Sequence, residues 1–261
     1  MRVAVVQTDP FFGNVDSNIE DALALMRSVE ADLYVLPELF NTGYNFIDGA
    51  EVAKFAEPVN GKTFERMLGY AGEKKCYVVY GFAERADRCY NSAALVGPDG
   101  LVGLYRKVHL FDRENVLFAP GNLGFPVFNL PFGKIGIMIC FDWIYPESAR
   151  SLALNGALLI AHPSNLVLPH CPDAMVTRCL ENRVFAATAN RIGTEHRGSV
   201  KLTYIGSSEI VSPKGEIMVR LNHEEVRAAA VECDLSLAEM KRINEFNDVL
   251  VGRRPDQYHG T

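Results

Sequence analysis

Long apolar runs are absent from this chain, since no stretch approaches the ~18 residues that a helix needs to cross a bilayer. The first residues, 1–7, enter a strand pattern directly, without the charged start, apolar segment and small-residue cleavage site of a secretory signal peptide. We therefore expect a cytoplasmic protein with no membrane partner.

An excess of basic residues is also absent. The 26 Lys and Arg are outnumbered by 32 Asp and Glu, which gives a formal net charge of -6 at pH 7. A general nucleic-acid-binding protein needs a basic surface that displaces counterions from phosphates. The charge balance therefore predicts that nucleic acid is not a partner.

The six cysteines include no Cys-x-x-Cys pair. In a chain of 261 residues without an export signal, we expect most of them to be buried thiols rather than disulfides. Cys171 and Cys179 lie close to His170 in the sequence, but their spacing matches no zinc motif. We therefore predict no metal site.

Short apolar segments typical of strands alternate with segments whose apolar residues recur at helical spacing. The predicted strands are 3–7, 32–36, 77–83, 92–96, 101–106, 134–140, 157–162, 185–190, 207–211 and 216–221, and the predicted helices are 18–29, 62–74, 146–155 and 173–186. The segments 92–100 and 207–215 resemble each other, and each is a strand followed by a turn with Pro and Gly. Two similar halves would form two sheets packed face to face, with helices outside.

No long linker rich in Gly, Ser or Pro divides these halves. We therefore predict a single α/β domain over residues 1–261. The C-terminal tail, from about residue 248, is polar and is expected to extend over a partner subunit.

Three strand patterns end in reactive side chains, namely Glu38, Lys107 and Cys140. Because strand ends at one edge of a sheet can bring distant residues to one point, we expect these three to lie together. Cys140 could then act as a nucleophile, and Glu38 could take its proton and later give it to a leaving amine. Lys107 and the backbone N–H of Phe141 could stabilise an oxyanion.

The helical pattern that begins at Pro146 follows Cys140 closely. The positive end of its dipole predicts a thiol that ionises more easily than a free one. Each feature also has a structural explanation, since a cysteine in an apolar strand is usually inert core and a basic pair such as Arg106-Lys107 is usually a solvated edge. Their joint occurrence at three strand ends favours the catalytic interpretation.

Three blocks of sequence strengthen this interpretation: Leu-Pro-Glu-Leu-Phe (36–40), Tyr-Arg-Lys-Val-His-Leu-Phe (105–111), and Gly-Ile-Met-Ile-Cys-Phe-Asp-Trp with the Pro-Glu that follows it (136–147). In this order and at these separations they resemble the nitrilase superfamily of carbon–nitrogen hydrolases. The resemblance implies a catalytic triad at Glu38, Lys107 and Cys140. It also implies a four-layer αββα sandwich of two mixed sheets with helices outside, and no metal or organic cofactor.

Family members often carry a further glutamate shortly after the lysine, and Glu114 stands in that place. By resemblance, Glu114 would orient the substrate nitrogen and hold Lys107 charged. Tyr44, Trp143 and Asn165 follow or neighbour the three blocks, so we expect them to contact the substrate. Aromatic residues at those positions indicate a small, partly apolar substrate.

The resemblance implies hydrolysis of the carbon–nitrogen bond of a small amide through a cysteine thioester, with release of ammonia. Nitrile-cleaving members commonly carry Trp-Glu directly after the nucleophile, whereas this chain has Phe-Asp-Trp, which is more similar to the amidase branches. A nitrilase and an N-carbamoyl amidohydrolase remain alternatives. Others are a non-catalytic amide-binding module and a cysteine hydrolase that uses His162 as its base.

The family usually associates through the helices after the nucleophile and through the C-terminal tail. The small apolar residues Ala149, Leu152 and Ala153 on the predicted helix could pack on a second copy. We therefore expect a homodimer or a larger homo-oligomer. Arg178 could bind a carboxylate-bearing substrate, or could simply belong to a salt-bridged helix face.

Overall fold

Two six-stranded mixed sheets form the centre of the molecule in a computed structural model that describes residues 1–258. In spatial order, the first sheet contains β14 (Arg227–Glu232), β1 (Arg2–Gln7), β2 (Leu33–Val35), β3 (Tyr77–Arg85), β4 (Cys89–Gly97) and β5 (Gly100–Arg106). The second contains β13 (Ile217–Arg220), β12 (Glu209–Val211), β9 (Phe185–Ala189), β8 (Leu159–Pro163), β7 (Gly133–Ile137) and β6 (Val127–Leu130). A separate two-stranded hairpin contains β10 (Thr194–Arg197) and β11 (Val200–Thr203).

Helices cover the outer faces of these sheets and fill several connections. They are α1 (Val15–Arg27), α2 (Gly49–Phe55), α3 (Lys62–Lys74), α4 (Glu114–Leu117), α5 (Pro146–Leu154), α6 (Cys171–Asn182) and α7 (Ser236–Glu239), with 3-10 helices at Cys140–Ile144 and Pro255–Gln257. None of the helices in residues 1–258 combines the length and apolar composition that a bilayer crossing requires.

The alternation of side chains along β1 shows how the layers form. Val3 and Val5 belong to the buried cluster that contains Ile135 and Ile137 of the second sheet. Ala4 and Val6, on the opposite face of β1, pack with α1 and α3. Since successive strand residues point to opposite faces, each central strand is mostly apolar and is buried on both sides over most of its length. The helix–sheet–sheet–helix order confirms the predicted αββα sandwich.

The two halves of the chain have the same strand arrangement. In each half three neighbouring strands run parallel, β1-β2-β3 and β7-β8-β9, because a helix connects each strand to the next. An antiparallel pair then extends each sheet, β4-β5 in the first and β12-β13 in the second. These pairs contain the two segments, 92–100 and 207–215, that resemble each other in sequence.

Several sequence-based boundaries are wrong. The strand predicted at 134–140 ends at Ile137, and the helix predicted at 173–186 ends at Asn182 because Arg183 turns left-handed with φ 51°. The sequence pattern predicts none of the strands β6, β10, β11 and β14 and none of the helices α2, α4 and α7. In β14 the sequence is rich in alanine, which favours strands weakly, and its antiparallel pairing with β1 determines its conformation.

The dimer contact predicted on α5 is also wrong, because its residues do not lie on the surface. Ala149, Leu152 and Ala153 are buried in the chain's own core, because they form the face of α5 that packs on the second sheet. The homo-oligomer therefore stays a prediction without that contact. The predicted tail runs as far as residue 258 in the structure, and its last residues, 259–261, lie outside the described residues.

Candidate active site

The loop after β2 presents Glu38 to the interior. Its backbone is fixed by two hydrogen bonds to β3, from Leu36 N to Val79 O at 2.8 Å and from Gly81 N to Pro37 O at 3.2 Å. A Cβ at position 81 would lie 2.5 Å from the Glu38 Cα atom, so only glycine permits this approach. The Glu38 side chain is completely buried.

Lys107 directly follows β5, and its buried ammonium lies between two carboxylates. Its Nζ atom is 2.7 Å from Glu38 Oε1 and 2.8 Å from a Glu114 carboxylate oxygen. Asn91 Nδ2 donates to the same two carboxylates, at 2.6 Å to Glu38 and 3.2 Å to Glu114. Burial acts to lower the pKa of Lys107, but the Glu114 and Glu38 carboxylates outweigh it and raise the pKa above its ordinary value, so this lysine is charged at neutral pH.

The Glu38 carboxyl has an unusual proton affinity. Burial raises its pKa to about 7, and the Lys107 ammonium and the Asn91 amide offset only part of this rise. One carboxylate oxygen, Oε1, receives both hydrogen bonds, whereas Oε2 has no hydrogen-bond partner within residues 1–258. Glu38 is therefore a buried carboxyl that titrates near neutrality and has one oxygen available for a proton.

Cys140 begins the 3-10 helix that follows β7, in a left-handed conformation with φ 41°. Such a backbone is strained for a residue with a Cβ and persists only when the surroundings enforce it. The enforcing group is Asp142, which is buried and accepts from Ile139 N at 2.9 Å and from Tyr105 Oη at 2.6 Å. Asp142 also accepts from His109, at 3.1 Å from its backbone N and 2.8 Å from its ring Nδ1.

Asp142 was missed as a functional residue by the sequence analysis, as was Asn91. Tyr105 and His109 flank Lys107 in sequence, so the Asp142 carboxylate connects the lysine segment to the cysteine turn. The sequence contains a signal for Asp142, because it is a charged residue in an otherwise apolar segment. A charge that is buried with such a segment needs hydrogen-bond partners.

The ionisation predicted for Cys140 is wrong. Burial raises the pKa of its thiol well above the ordinary value, Glu38 raises it further, and Lys107 with the backbone N–H of Asn165 offsets only part of the rise. The thiol begins a short 3-10 helix, Cys140–Ile144, and α5 starts only after it, at Pro146. At rest it is neutral and requires a base to become a nucleophile.

The structure brings Glu38, Lys107, Glu114 and Cys140 into one cluster, with the charges of the first three acting on the pKa of the thiol. The prediction that these residues come from one edge of one sheet is wrong. Glu38 and Lys107 follow strands of the first sheet, and Cys140 follows β7 of the second. The cluster therefore forms where the ends of two facing sheets meet.

Two small cavities adjoin the cluster. One, of ≈ 20 Å³, is lined by Cys140, Phe141 and Trp143, and the other, of ≈ 30 Å³, by Tyr44 and Glu114. Phe111, Asn165 and Val167 line both, so the cavities are neighbouring parts of one cleft. Each holds on the order of one or two water molecules.

All of the residues predicted to contact substrate line this cleft. Tyr44 has its hydroxyl beside the Glu114 carboxylate, and burial with that carboxylate raises the pKa of the phenol well above its ordinary value. Asn165 Nδ2 donates to Glu38 O at 2.8 Å. Trp143 is held by its carbonyl, which accepts from Arg178 Nε at 3.2 Å. Arg178 also forms a salt bridge with Glu181 on α6, so it belongs to a salt-bridged helix face and is not a substrate-binding residue of the cleft.

A Cys–His hydrolase is disfavoured by the position of His162. Its Nε2 atom lies 2.9 Å from the backbone oxygen of Cys140, and its Nδ1 atom lies 3.0 Å from Thr188 Oγ1. Burial lowers the pKa of His162 to about 4, so the ring is neutral and donates to that carbonyl. Among residues 1–258, no three His, Cys, Asp or Glu side chains are grouped in a way that could hold a metal ion.

Comparison with known proteins places this fold and sequence in one family. Residues 2–242 match the sequence model of a family described as carbon-nitrogen hydrolase. A protein named nitrilase from Pyrococcus abyssi is 48% identical over 263 residues, which cover 99% of each chain. An (R)-stereoselective amidase from a Pseudomonas species is 33% identical, with 97% of this chain and 92% of that protein covered.

A solved structure gives the same result. The crystal structure of a carbon-nitrogen hydrolase from Helicobacter pylori G27 superposes with a TM-score of 0.87 and 25% sequence identity, covering 99% of this chain and 97% of that one. The family match, the two relatives and this superposition agree over nearly the whole length. The chain therefore belongs to the carbon-nitrogen hydrolase family, the nitrilase superfamily, and is a hydrolytic enzyme.

Proposed function

We propose that this enzyme hydrolyses the carbon–nitrogen bond of a small amide, with Cys140 as the nucleophile and ammonia as one product. The observation that carries the proposal is the free oxygen of Glu38, a carboxyl that titrates near neutrality beside a buried thiol. A neutral thiol needs a base whose pKa is close to the working pH. Within the cluster, Glu38 meets that requirement.

The first step forms the covalent bond. Glu38 Oε2 takes the thiol proton as Cys140 Sγ attacks the amide carbon, and the carbonyl π pair moves to oxygen. The ammonium of Lys107 and the N–H of Phe141, in the first turn of the 3-10 helix, stabilise the oxyanion. Since Lys107 is held charged before substrate arrives, little reorganisation is needed during the reaction.

The later steps release the two products. The oxyanion re-forms its carbonyl, the carbon–nitrogen bond breaks, and Glu38 returns its proton to nitrogen, so that ammonia leaves a Cys140 thioester. Water then gives a proton to Glu38 as its oxygen attacks the thioester. The sulfur–carbon bond breaks, the acid departs, and the thiolate regains the proton from Glu38. Glu114, whose carboxylate also contacts Lys107, is proposed to accept a hydrogen bond from the amide nitrogen.

The size of the cleft favours a small substrate. Its neighbouring cavities of ≈ 30 Å³ and ≈ 20 Å³ together have room for only a few non-hydrogen atoms, which favours a primary amide with a short acyl group over a peptide bond within a folded polypeptide. Tyr44, Trp143 and Asn165 are proposed as the substrate-contacting residues because they line these cavities.

A small nitrile is the second candidate substrate, favoured by the relative at 48% identity that is named nitrilase. The same groups would serve, since the thiolate adds to the nitrile carbon and the nitrogen takes the proton to give a thioimidate. Water then adds to that carbon, and loss of ammonia gives the same thioester. An N-carbamoyl compound would likewise give ammonia, through a thiocarbamate.

A substrate panel tests the proposal. Ammonia release is measured on small primary amides, nitriles and N-carbamoyl compounds with the wild-type protein, Cys140→Ala and Cys179→Ala. Cys179 is a buried core thiol outside the cleft, so its variant controls for the loss of a cysteine. We expect turnover by the wild type and Cys179→Ala, and none by Cys140→Ala. Turnover retained in Cys140→Ala would contradict the nucleophile, and no turnover of any compound by the wild type would contradict the function.

A further inference from the structure

The β10-β11 hairpin belongs to neither large sheet, yet it forms part of the cleft wall. Its register pairs Glu195 with Leu202 and Arg197 with Val200. These four side chains point inward, while the alternate residues of both strands are exposed. An isolated two-stranded hairpin is at best marginally stable in water, so this position depends on contacts made by the inward face.

Glu195 is the anchor at the base of the hairpin. Its buried carboxylate pairs with Arg191, which is itself buried, and accepts from Tyr204 Oη at 3.1 Å. It also accepts from Asn45 N at 2.7 Å and from Tyr44 N at 3.2 Å. One carboxylate therefore joins the hairpin to the loop that carries Tyr44, and charge-assisted hydrogen bonds of this kind are the strong ones.

Backbone geometry confirms how closely these two segments approach. A Cβ at Gly43 would lie 2.7 Å from Glu195 Oε1, and φ at this glycine is +81°, a conformation that other residues rarely adopt. Asn45 Nδ2 donates to Val200 O at 3.0 Å, which adds a contact from the same loop to the second strand. The 43–45 loop and the hairpin are therefore held together by hydrogen bonds to both strands of the hairpin.

Arg197 is the anchor near the tip. Its guanidinium makes two hydrogen bonds to Glu51 on α2, at 2.7 Å and 3.0 Å, and lies 3.4 Å over the ring of Phe12. With Glu195 at one end and Arg197 at the other, the residues opposite them in register are held in place. Those residues are Leu202 and Val200, which line the cavity that Glu114 and Tyr44 also line.

We propose that the β10-β11 hairpin, anchored by Glu195 and Arg197, is the specificity-determining wall of the cleft, and that Val200 and Leu202 select substrates with a short, uncharged, apolar acyl group. This inference rests on the proposed function of the cleft. The apolar side chains Phe46, Phe118 and Val167 complete the same cavity. A charged acyl group would lose hydration there without gaining a buried partner.

The charged residues around this cavity do not provide such a partner for a carboxylate. Asp112 and Glu114 are acids and would repel it. Arg113 lines the cavity, but its guanidinium donates to the backbone oxygen of Ile47 at 2.6 Å, at the exposed rim. A carboxylate-terminated amide such as succinamate is therefore the informative competitor for an apolar amide of similar length.

The test is the dependence of kcat/KM on acyl chain length. Ammonia release is measured on acetamide, butyramide, hexanamide and succinamate, and on the matching nitriles, with the wild type, Leu202→Ala, Val200→Ala and Lys201→Ala. Lys201 lies between the two but is exposed on the outer face, so it is the matched control. Because each methylene in an apolar pocket changes selectivity about 10- to 200-fold, Leu202→Ala should raise the hexanamide-to-acetamide ratio at least about 10-fold.

Glu195→Gln tests the anchor separately. The amide nitrogen of Gln cannot accept the backbone N–H groups of Tyr44 and Asn45. We expect the chain-length preference to flatten and KM to rise, while iodoacetamide alkylates Cys140 at a rate within about 2-fold of wild type, since the cluster itself is intact. A uniformly slower alkylation with an unchanged chain-length profile would indicate a merely structural role and would contradict the proposal.

The outcomes separate this inference from the proposed function. If the wild type is active but Leu202→Ala and Val200→Ala keep its chain-length profile, or if succinamate exceeds butyramide in kcat/KM, the hairpin is not the selecting wall. If the wild type releases no more ammonia than Cys140→Ala from every compound, the proposed function fails and the inference fails with it.

Discussion

Replacing Asp142 by asparagine should damage both stability and activity. The carboxylate accepts four hydrogen bonds, two on each oxygen, from His109 N and Nδ1 on one and from Tyr105 Oη and Ile139 N on the other. An asparagine keeps one accepting oxygen, so whichever way the amide is oriented, two donors face its nitrogen.

The expected magnitude follows from these contacts. A hydrogen bond to a charged group contributes roughly 1.5–3 kcal/mol, so losing two of them lowers the free energy of unfolding by about 3–6 kcal/mol. This is a large share of the ~5–15 kcal/mol that typically stabilises a domain. Since Asp142 holds the strained turn at Cys140, a displacement of the sulfur by about 1 Å should also reduce kcat/KM by roughly 100-fold.

Urea unfolding and ammonia release measure the two effects. The single tryptophan, Trp143, adjoins Asp142 in the chain and is buried, so its fluorescence reports on this turn. Asp99→Asn, at the exposed β4-β5 turn, is the matched control and should behave as wild type. An unfolding midpoint and a kcat/KM for Asp142→Asn that both match the control would refute the reasoning.

Three further predictions concern Glu38. Gly81→Ala should cost activity and stability, because its Cβ would lie 2.5 Å from Glu38 Cα, whereas Gly69→Ala, with open space on α3, should unfold at slightly higher urea concentration. The logarithm of kcat/KM should rise with pH and level off near pH 7, because Glu38 acts as a base only when ionised and its pKa is raised to about 7. A flat profile from pH 5 to 8 would exclude this role. Asn91→Leu should move that limb to higher pH, because the Asn91 hydrogen bond lowers the pKa of Glu38; a shift to lower pH would contradict the assignment.

The positions of the cluster residues were predictable from local pattern. Glu38, Lys107 and Cys140 each follow an apolar strand, and strand periodicity is visible within a few residues. The layer order was predictable for the same reason, since the central strands of both halves are apolar on both faces. That these residues come from two facing sheets was not predictable, because pairing partners lie far apart in the sequence.

The proton affinities and the hairpin required the folded structure. The thiol of Cys140 is buried by residues from both halves of the chain, so its raised pKa has no local signature. In the hairpin, Glu195 and Arg197 occupy the inward positions that a strand pattern would assign to apolar residues. Their burial also depends on partners distant in sequence, such as Tyr44 and Glu51.

The central claim is that Cys140 carries the acyl group during turnover, and the mass of the intact protein tests it most directly. The wild type and Cys140→Ala are mixed with a small amide that the wild type hydrolyses, and each is quenched in acid within the first turnovers. We predict an added mass equal to that of the acyl group less the one thiol hydrogen that it replaces, located on the peptide that contains Cys140 and absent from Cys140→Ala. Ammonia release by Cys140→Ala at the wild-type rate, or the acyl group on another residue, would contradict the account.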